Sequence, residues 1–424
     1  MKSKLLEYRQ RLKGFLFSEK FTLPETACLP PEYNIQEILP INCRESEIDE
    51  VRINLLVPAL SIRFSFGGIN TALDFFTEFI GHAKNARIII TDEAISDLKA
   101  LPKSEDWKLV TSEGNDMSGL SIVCFGDRYN KTIPVRKNDV FIATAWWTSY
   151  NGERILNWQK EKWGEPAAPL IYLIQDFEPG FYKWSSRYLL ALSTYHQKNM
   201  IAVINTSLLY EFVKSSGIIL NRHYIFEPGL NRNLASHLNA KTIPVKKKRI
   251  IFYGRPSVER NAYEIIVKGL ELWSFWHTNA KDWEIISLGE IYPNIRLGND
   301  IDIIVKGKVT LDEYANLLLD SAIGISLMVS PHPSYPPLEM AAFNLGVVTN
   351  KFSNKDLSNF HDNIFSLDNI NPENMAIMIC DLCSKFENNA GYFLNRNFRN
   401  IDFLNKESGF DFIKDLKCHL PSFE

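Results

Sequence analysis

Four stretches of this chain gather cations, acids, aromatics and glycines in patterns suited to binding an anionic, hydroxyl-rich ligand. In Tyr253-Gly254-Arg255-Pro256-Ser257-Val258-Glu259-Arg260-Asn261, two arginines stand five residues apart. Arginine binds phosphate through paired N–H groups, and fixed positive charge stabilises a leaving diphosphate as its bond breaks. Arg255 sits where a strand would deliver a ligand, whereas Arg260 also reads as an ordinary surface arginine. Lys306-Gly307-Lys308 follows a later apolar run and adds positive charge, with Lys308 taken as the inward-pointing one. Ser65-Phe66-Gly67-Gly68-Ile69-Asn70 opens a helical pattern with Ile69, Leu73, Phe76 and Ile80 on one face. Gly67 and Gly68 would let backbone approach a ligand closely, and the helix start behind them favours an anion. A plain tight turn fits the same residues.

Ile174-Gln175-Asp176-Phe177-Glu178-Pro179-Gly180-Phe181-Tyr182 sets two acids among aromatics. Aromatic faces stack on sugars and carboxylates hold hydroxyls, so Asp176 is a candidate sugar-side residue. Glu178 is equally readable as part of a capped loop. Ser330-Pro331-His332-Pro333-Ser334-Tyr335-Pro336-Pro337-Leu338-Glu339 leads into a short helix expected from about Pro336 to Leu345, with Gly346 as its stop. Ser334, Tyr335 and Glu339 are candidates for holding a nucleotide there. Glu339 also has the bland role of favouring the helix dipole, worth ~0.3–1 kcal/mol.

These residues need strands to place them. Ile/Val-rich runs recur at Ile53–Val57, Arg87–Ile90, Val140–Ala145, Ile171–Ile174, Ala202–Ile204 and Tyr224–Phe226. A second series comprises Arg249–Tyr253, Trp283–Leu288, Ile301–Val305, Ile323–Leu327 and Val347–Thr349. Such runs, alternating with helical patterns and rarely with polar residues, predict strands buried on both faces of parallel sheets. The polar stretch 231–248, ending in Lys246-Lys247-Lys248-Arg249, reads as a solvated linker between two α/β domains. The expected division is a helical extension over 1–45, a first domain over 46–240, a second over 241–395, and a C-terminal helix over 396–424. Open α/β sheets bind ligands beyond the carboxyl ends of their strands, so two facing domains make one cleft.

Composition narrows the function. The 424 residues are 45% hydrophobic and 23% charged, as in a globular protein, and the net charge of -3 argues against nucleic acid as a partner. No apolar run reaches the ~18 residues that span a bilayer. The segment MKSKLLEYRQRLKGFLF lacks the continuous apolar stretch of a secretion signal and reads as an amphipathic helix that packs on the body or touches a membrane. Six cysteines give no disulfide framework and suggest a reducing, cytoplasmic compartment. Cys380-x-x-Cys383 lies among Met375, Met378, Ile379, Leu382 and Phe386 at helical spacing, so it reads as a buried helix face rather than a zinc site. Asp300-Ile301-Asp302 overlaps an apolar strand pattern and reads as incidental.

The Gly67-Gly68 loop, Gly254-Arg255 with Arg260, and the Glu339-Met340-Ala341 helix together resemble glycosyltransferase family 4, over about residues 50 to 350. The resemblance implies the GT-B fold, two Rossmann-like doubly wound parallel-sheet domains facing across a cleft. It implies that Gly67, Gly68 and the two cations hold the donor diphosphate, and that Glu339 holds the ribose. YLIQDFEPGFY and SPHPSYPPLEMA are similar to the rhamnosyltransferases of bacterial surface-layer glycan assembly, which use dTDP-β-L-rhamnose. That implies a metal-independent, retaining transfer of L-rhamnose to a growing glycan, with no cofactor and Arg255, Lys308 and Asp176 in the chemistry. The implied partners are the nucleotide sugar and a rhamnan or other glycan acceptor, lipid-linked or not. Peripheral contact with the inner face of the cell membrane and homodimerisation stay open. Two departures stand out: Pro331 replaces the first Glu of the family's Glu-x7-Glu, and Gln175 replaces a frequent His. Two other readings remain, a sugar-nucleotide epimerase of the same architecture and a non-catalytic nucleotide-binding scaffold.

Overall fold

A computed structural model describes residues 35–60, 67–93, 106–227, 229–238, 245–394, 397, 399, 402–405 and 409–422. It divides into residues 1–39 and 40–424. In the former, Gln36–Ile38 forms one 3-10 turn; the expected N-terminal amphipathic helix lies outside the described residues. All that follows concerns residues 40–424.

The first part of the chain runs β1 (Cys43–Glu45), β2 (Arg52–Val57), α1 (Gly67–Ile80), β3 (Ala86–Ile90), β4 (Lys108–Val110), β5 (Leu120–Cys124), β6 (Ile133–Val135), β7 (Asp139–Ala143), α2 (Trp146–Trp163), β8 (Leu170–Ile174), α3 (Ser186–Ser193), β9 (Met200–Asn205), α4 (Ser207–Ser215) and β10 (His223–Phe226). The second runs α5 (Arg232–Leu238), β11 (Lys247–Gly254), α6 (Tyr263–Trp276), β12 (Glu284–Gly289), β13 (Ile295–Arg296), β14 (Asp302–Gly307), α7 (Leu311–Asp320), β15 (Ser321–Ile325), α8 (Tyr335–Ala342), β16 (Gly346–Asn350), β17 (Ile364–Leu367) and α9 (Pro372–Asn388), then α10 (Asp402–Asn405) and α11 (Ile413–Lys417).

An eight-stranded sheet has the order β10-β9-β8-β7-β2-β3-β5-β4, and a seven-stranded sheet the order β13-β14-β12-β11-β15-β16-β17. All pairings in the first sheet are parallel, and only β13 runs antiparallel in the second. β1 and β6 form a separate parallel ribbon. In β2, β3, β7, β8 and β9 every residue is buried, which is why these strands read as unbroken apolar runs. Strand order reverses between β2 and β7 in one sheet and between β11 and β15 in the other. At such switch points neighbouring loops diverge and open a crevice.

The structure corrects the expected outlines in three places. Cys43–Glu45, assigned to a helical extension, is a strand. The lysine run is not a solvated hinge: Lys247 already belongs to β11, and Lys246 is buried, its Nζ donating to Leu318 O at 2.8 Å and Phe343 O at 2.7 Å. Those carbonyls close α7 and α8, so the lysine ties the entry to the second domain to the helix carrying Glu339. Finally, the chain end forms two short helices rather than one. Phe403 joins the second domain's core, while Phe410, Ile413 and Leu416 join the core of the first. Phe410 packs edge-on to Phe75 at 5.2 Å, and Phe412 stacks on Tyr224 at 4.9 Å. Cys383 is buried in α9, as the helix-face reading expects.

An ionic cluster pins the amino ends of the first sheet. Arg52, fully buried, donates to Asp116 at 2.5 Å and to Asp139 at 2.7 Å, and Arg136 bonds Asp116 at 2.8 Å. It lies at the strand ends opposite to the switch-point loops.

Candidate active site

The first domain contributes the start of α1 and the loop after β8. α1 opens at Gly67, and the Gln175 side chain donates to Gly68 O at 2.9 Å. Gln175 therefore couples the exit of β8 to the start of α1. Beyond it, Asp176 is largely sheltered, with its side chain 14% exposed. Its Oδ1 accepts from the Phe177 amide at 2.8 Å and from the Ser330 hydroxyl across the cleft. A 3-10 turn, Glu178–Phe181, follows. Here Glu178 turns inward: its carboxylate accepts the Trp146 amide at 2.6 Å, the first N–H of α2. Burial pushes that carboxyl up to about 8, against the pull of the Trp146 amide. Glu178 thus has the capping role, and Asp176 alone faces the second domain.

The second domain answers with the β11 exit. A Cβ on Gly254 would stand 2.3 Å from Ser287 Oγ, so only glycine fits where β11 meets β12. Half-buried Arg255 follows, hydrogen-bonded to the Tyr253 side chain, and its charge is felt by Arg260. Arg260 lies over the Phe181 ring at 3.7 Å and 3.9 Å from Asp176 Oδ2. It is thereby seated on the first domain by a cation–π contact and an ion pair. Burial lowers its pKa and Asp176 opposes that effect. Its backbone carbonyl accepts the Val329 amide at 2.8 Å, and Asn261 donates to Leu327 O at 3.2 Å, which fixes the segment leaving β15.

That segment forms the floor. Ser330 Oγ accepts the His332 amide at 3.1 Å while donating to Asp176, and His332 Nδ1 accepts the Ser334 amide at 3.0 Å. Ser334 holds φ at +66°, an unusual conformation for a non-glycine residue, and turns the chain into α8. Pro336 and Pro337 occupy the first turn of α8, so two of its leading N–H groups do not exist. An anion at this end relies on the arginines more than on the helix amides. Tyr335 reaches back across the cleft: its hydroxyl accepts from Asn205 Nδ2 at 2.9 Å and also bonds Thr71. Glu339 accepts the Tyr314 hydroxyl at 3.0 Å, and burial pushes its carboxyl up to about 7.

Asp176 and Arg260 therefore meet across the cleft with Arg255 beside them, while Tyr335 bridges the domains at Asn205 and at Thr71 of α1, the helix that Gly67 and Gly68 open. Ser334 is buried beneath, and Glu339 stands one helical turn further into α8. Lys308 lies exposed at the exit of β14, two strands from β11, and is not among the charges dominating the surroundings of Arg260. Asp300 and Asp302 pair with Arg296 at 2.9 and 3.3 Å at the amino end of β14, away from the cleft. Among the described residues no three His, Cys, Asp or Glu side chains converge to hold a metal.

Several members of the site carried no clear signal. Lys355 is buried in a tight reversal after β16, donates to Met328 O at 2.6 Å, and has its pKa lowered by burial to about 7. Ser330 and His332 lie inside SPHPSYPPLEMA, but the Asp176 that Ser330 bonds comes from the other domain. Asn205 and Tyr314 have no local pattern at all. Among the buried polar atoms without a partner, Asn205 Oδ1, Arg260 Nε, Asn261 Oδ1 and His332 Nε2 belong to this site. Native interiors seldom leave such groups unpaired, and these four are available to a polar ligand.

Known proteins can now be set beside this geometry. Residues 52–207 match the family model of the WsaF N-terminal domain, and residues 248–380 that of the WsaF C-terminal domain. The O-antigen biosynthesis protein RfbC of Myxococcus xanthus is 30% identical over 214 residues, which are 50% of this chain but 15% of that protein. The chain thus spans a small part of that curated relative. Among solved structures, Anabaena HepE in complex with UDP superposes with a TM-score of 0.54 at 11% identity, over 81% of this chain and 92% of that one. WaaG, a glycosyltransferase involved in lipopolysaccharide biosynthesis, gives 0.51 at 13% identity over 88% and 100%. An α,α-trehalose-phosphate synthase from Burkholderia xenovorans gives 0.55 at 10% identity over 86% and 100%. At such identities these likenesses speak to the fold, which is GT-B. No helix among the described residues is long and apolar enough to cross a membrane. With both WsaF domains matched in order over more than half of its length, the chain belongs to the WsaF family of GT-B glycosyltransferases.

Proposed function

We propose that this enzyme transfers L-rhamnose from dTDP-β-L-rhamnose to a growing bacterial glycan, with retention of configuration and without a metal. The observation that carries the reading is the meeting of Asp176 with Arg260 at the facing switch points, beside Arg255. One acid and two cations suit a neutral sugar joined to a diphosphate. Rhamnose rests on the similarity of YLIQDFEPGFY and SPHPSYPPLEMA to the surface-layer glycan rhamnosyltransferases, and the likeness to RfbC, an O-antigen biosynthesis protein, supports a surface glycan as the product.

In this scheme Arg255 and Arg260 neutralise the diphosphate that departs as its bond to the anomeric carbon breaks. Lys308, at the exit of β14, is the third cation of the proposed catalytic set and approaches from the rim. The acceptor hydroxyl oxygen bonds the anomeric carbon on the face that the diphosphate leaves. A leaving phosphate oxygen takes the hydroxyl proton, so no protein base is needed. Asp176 orients the sugar hydroxyls, Glu339 holds the ribose, and Gly67, Gly68, Ser334 and Tyr335 line the nucleotide seat. The ionic acid of an epimerase would need a partner acid at the same sugar. Glu178, the nearest acid in sequence, is spent on capping α2.

Calorimetric titration with dTDP, UDP and GDP in the absence of metal tests the donor. Selective dTDP binding, followed by rhamnosyl transfer and a β-linked product assigned by NMR, is the expected result, and an α-linked product overturns retention. HepE, solved with UDP and with UDP-glucose, represents the competing donor. A preference for UDP or GDP overturns the donor while keeping the enzyme class, nucleotide binding without any transfer favours the scaffold, and failure to bind any nucleotide overturns the nucleotide-sugar reading.

A further inference from the structure

We propose that His332 is a sugar-recognition residue, which donates a hydrogen bond from Nε2 to an oxygen of the transferred sugar. This rests on the nucleotide-sugar reading above. Three observations carry it. The Ser334 amide donates to Nδ1 at 3.0 Å, so Nδ1 is the acceptor and Nε2 carries the proton. The ring is 7% exposed, and its Nε2 has no partner. An ordinary core histidine satisfies both nitrogens, because an unpaired buried donor is expensive. Lastly, the ring stands within the fields of Asp176, Lys355 and Arg260, and edge-on to Tyr335 at 5.7 Å. It therefore lies beside the Asp176–Arg260 pair, at the sugar end of the proposed donor seat.

The chemistry of the group fits a hydroxyl better than a phosphate. Burial and the two nearby cations, Lys355 and Arg260, hold the imidazole neutral, with its pKa lowered to about 4. It adds no charge to that of the arginines. What it adds is direction, and a buried neutral donor rejects a sugar lacking the matching oxygen, because the N–H is then left unpaired. The backbone around it is built to hold that direction. Ser330 Oγ anchors the His332 amide, and the strained Ser334 turn presents the amide that fixes the tautomer. The Asp176–Ser330 bond ties this floor to the opposing acid across the cleft.

The test compares dTDP with dTDP-L-rhamnose by calorimetry for the wild type, His332→Leu and His332→Gln. The glutamine variant keeps an N–H donor at a similar reach. His332→Leu should bind dTDP within about threefold of wild type and dTDP-L-rhamnose roughly tenfold to a hundredfold more weakly, the worth of one buried hydrogen bond. His332→Gln should recover most of that loss. Equal weakening of both ligands, with a lowered Tm, would show a structural role and overturn the proposal, as would no change in either. If the wild type binds dTDP-L-rhamnose no better than dTDP, the donor reading fails instead. The same three proteins are then compared on UDP and UDP-glucose, where a sugar-dependent loss in His332→Leu upholds the assignment and its absence refutes it.

Discussion

Replacing Asp176 by Asn should tighten binding of the bare nucleotide while slowing transfer. Asp176 Oδ2 lies 3.9 Å from Arg260 Nη1, and the two side chains are 14% and 25% exposed. At 3.9 Å and an effective dielectric of about 20, two unit charges attract by about 4 kcal/mol. Partial solvent access and the desolvation of both groups reduce the net value to on the order of 1.4 kcal/mol, or tenfold in Kd. An incoming diphosphate competes for the same guanidinium. In Asp176→Asn the amide oxygen can still accept from Phe177 and Ser330, so the loop should keep its shape. Calorimetry should therefore find dTDP bound up to about tenfold more tightly. Transfer assays should find turnover lowered by roughly a hundredfold, because the sugar loses its charged acceptor. Arg260→Ala serves as the control and should abolish the gain in a double variant. Weaker or unchanged dTDP binding in Asp176→Asn would refute the idea that this acid and the nucleotide share Arg260.

Three further outcomes are expected. Arg255→Ala should cut turnover by on the order of a hundredfold, with the fold preserved by circular dichroism, and near-normal turnover would remove Arg255 from the chemistry. Gln175→Ala frees the Gly68 carbonyl from its 2.9 Å bond, and should weaken dTDP binding several-fold with little change in Tm, as read by parallel titration and melting. Glu178 is held at about 8 in the fold against 4.5 in the unfolded chain, so between those values the folded state keeps a proton that the unfolded state has lost. Its contribution to stability must then fall as pH rises from about 4.5 to about 8. Glu178→Gln cannot ionise, and its Tm should fall less than that of the wild type over this range in melts buffered between those limits.

How much of this was readable beforehand follows from what local sequence encodes. The interior strands other than β5 show as Ile/Val runs because both of their faces are covered, whereas β5 (Leu120–Cys124) escapes that reading, its apolar run being broken by Ser121. β4 and β13, at sheet edges, and the short β6 show no such run, since Lys108 and Arg296 stand where exposure is allowed. The lysine run 246–248 illustrates a limit of composition: Lys248 is indeed paired near the surface, with Asp282 at 3.0 Å, yet Lys246 two residues earlier closes two helices from inside. Arg255 and Asp176 could be picked out because they follow strands at their carboxyl ends. Ser330, His332 and Lys355 could not, because what they do is defined by Asp176 and Arg260, residues more than sixty positions away that the topology alone brings near.

The aromatic seam between the chain end and the first domain bears on how the protein is made. Phe410, Ile413 and Leu416 complete a core whose other members come from residues 53 to 226. During synthesis, when domains usually mature in order from the amino end, this first domain must wait with part of its apolar surface uncovered. The second domain draws its main core from residues 250 to 393 and can close sooner. Maturation of the first domain thus becomes a late event, and until then Phe75 of α1 and Tyr224 and Phe226 of β10 lack the chain end's aromatic partners.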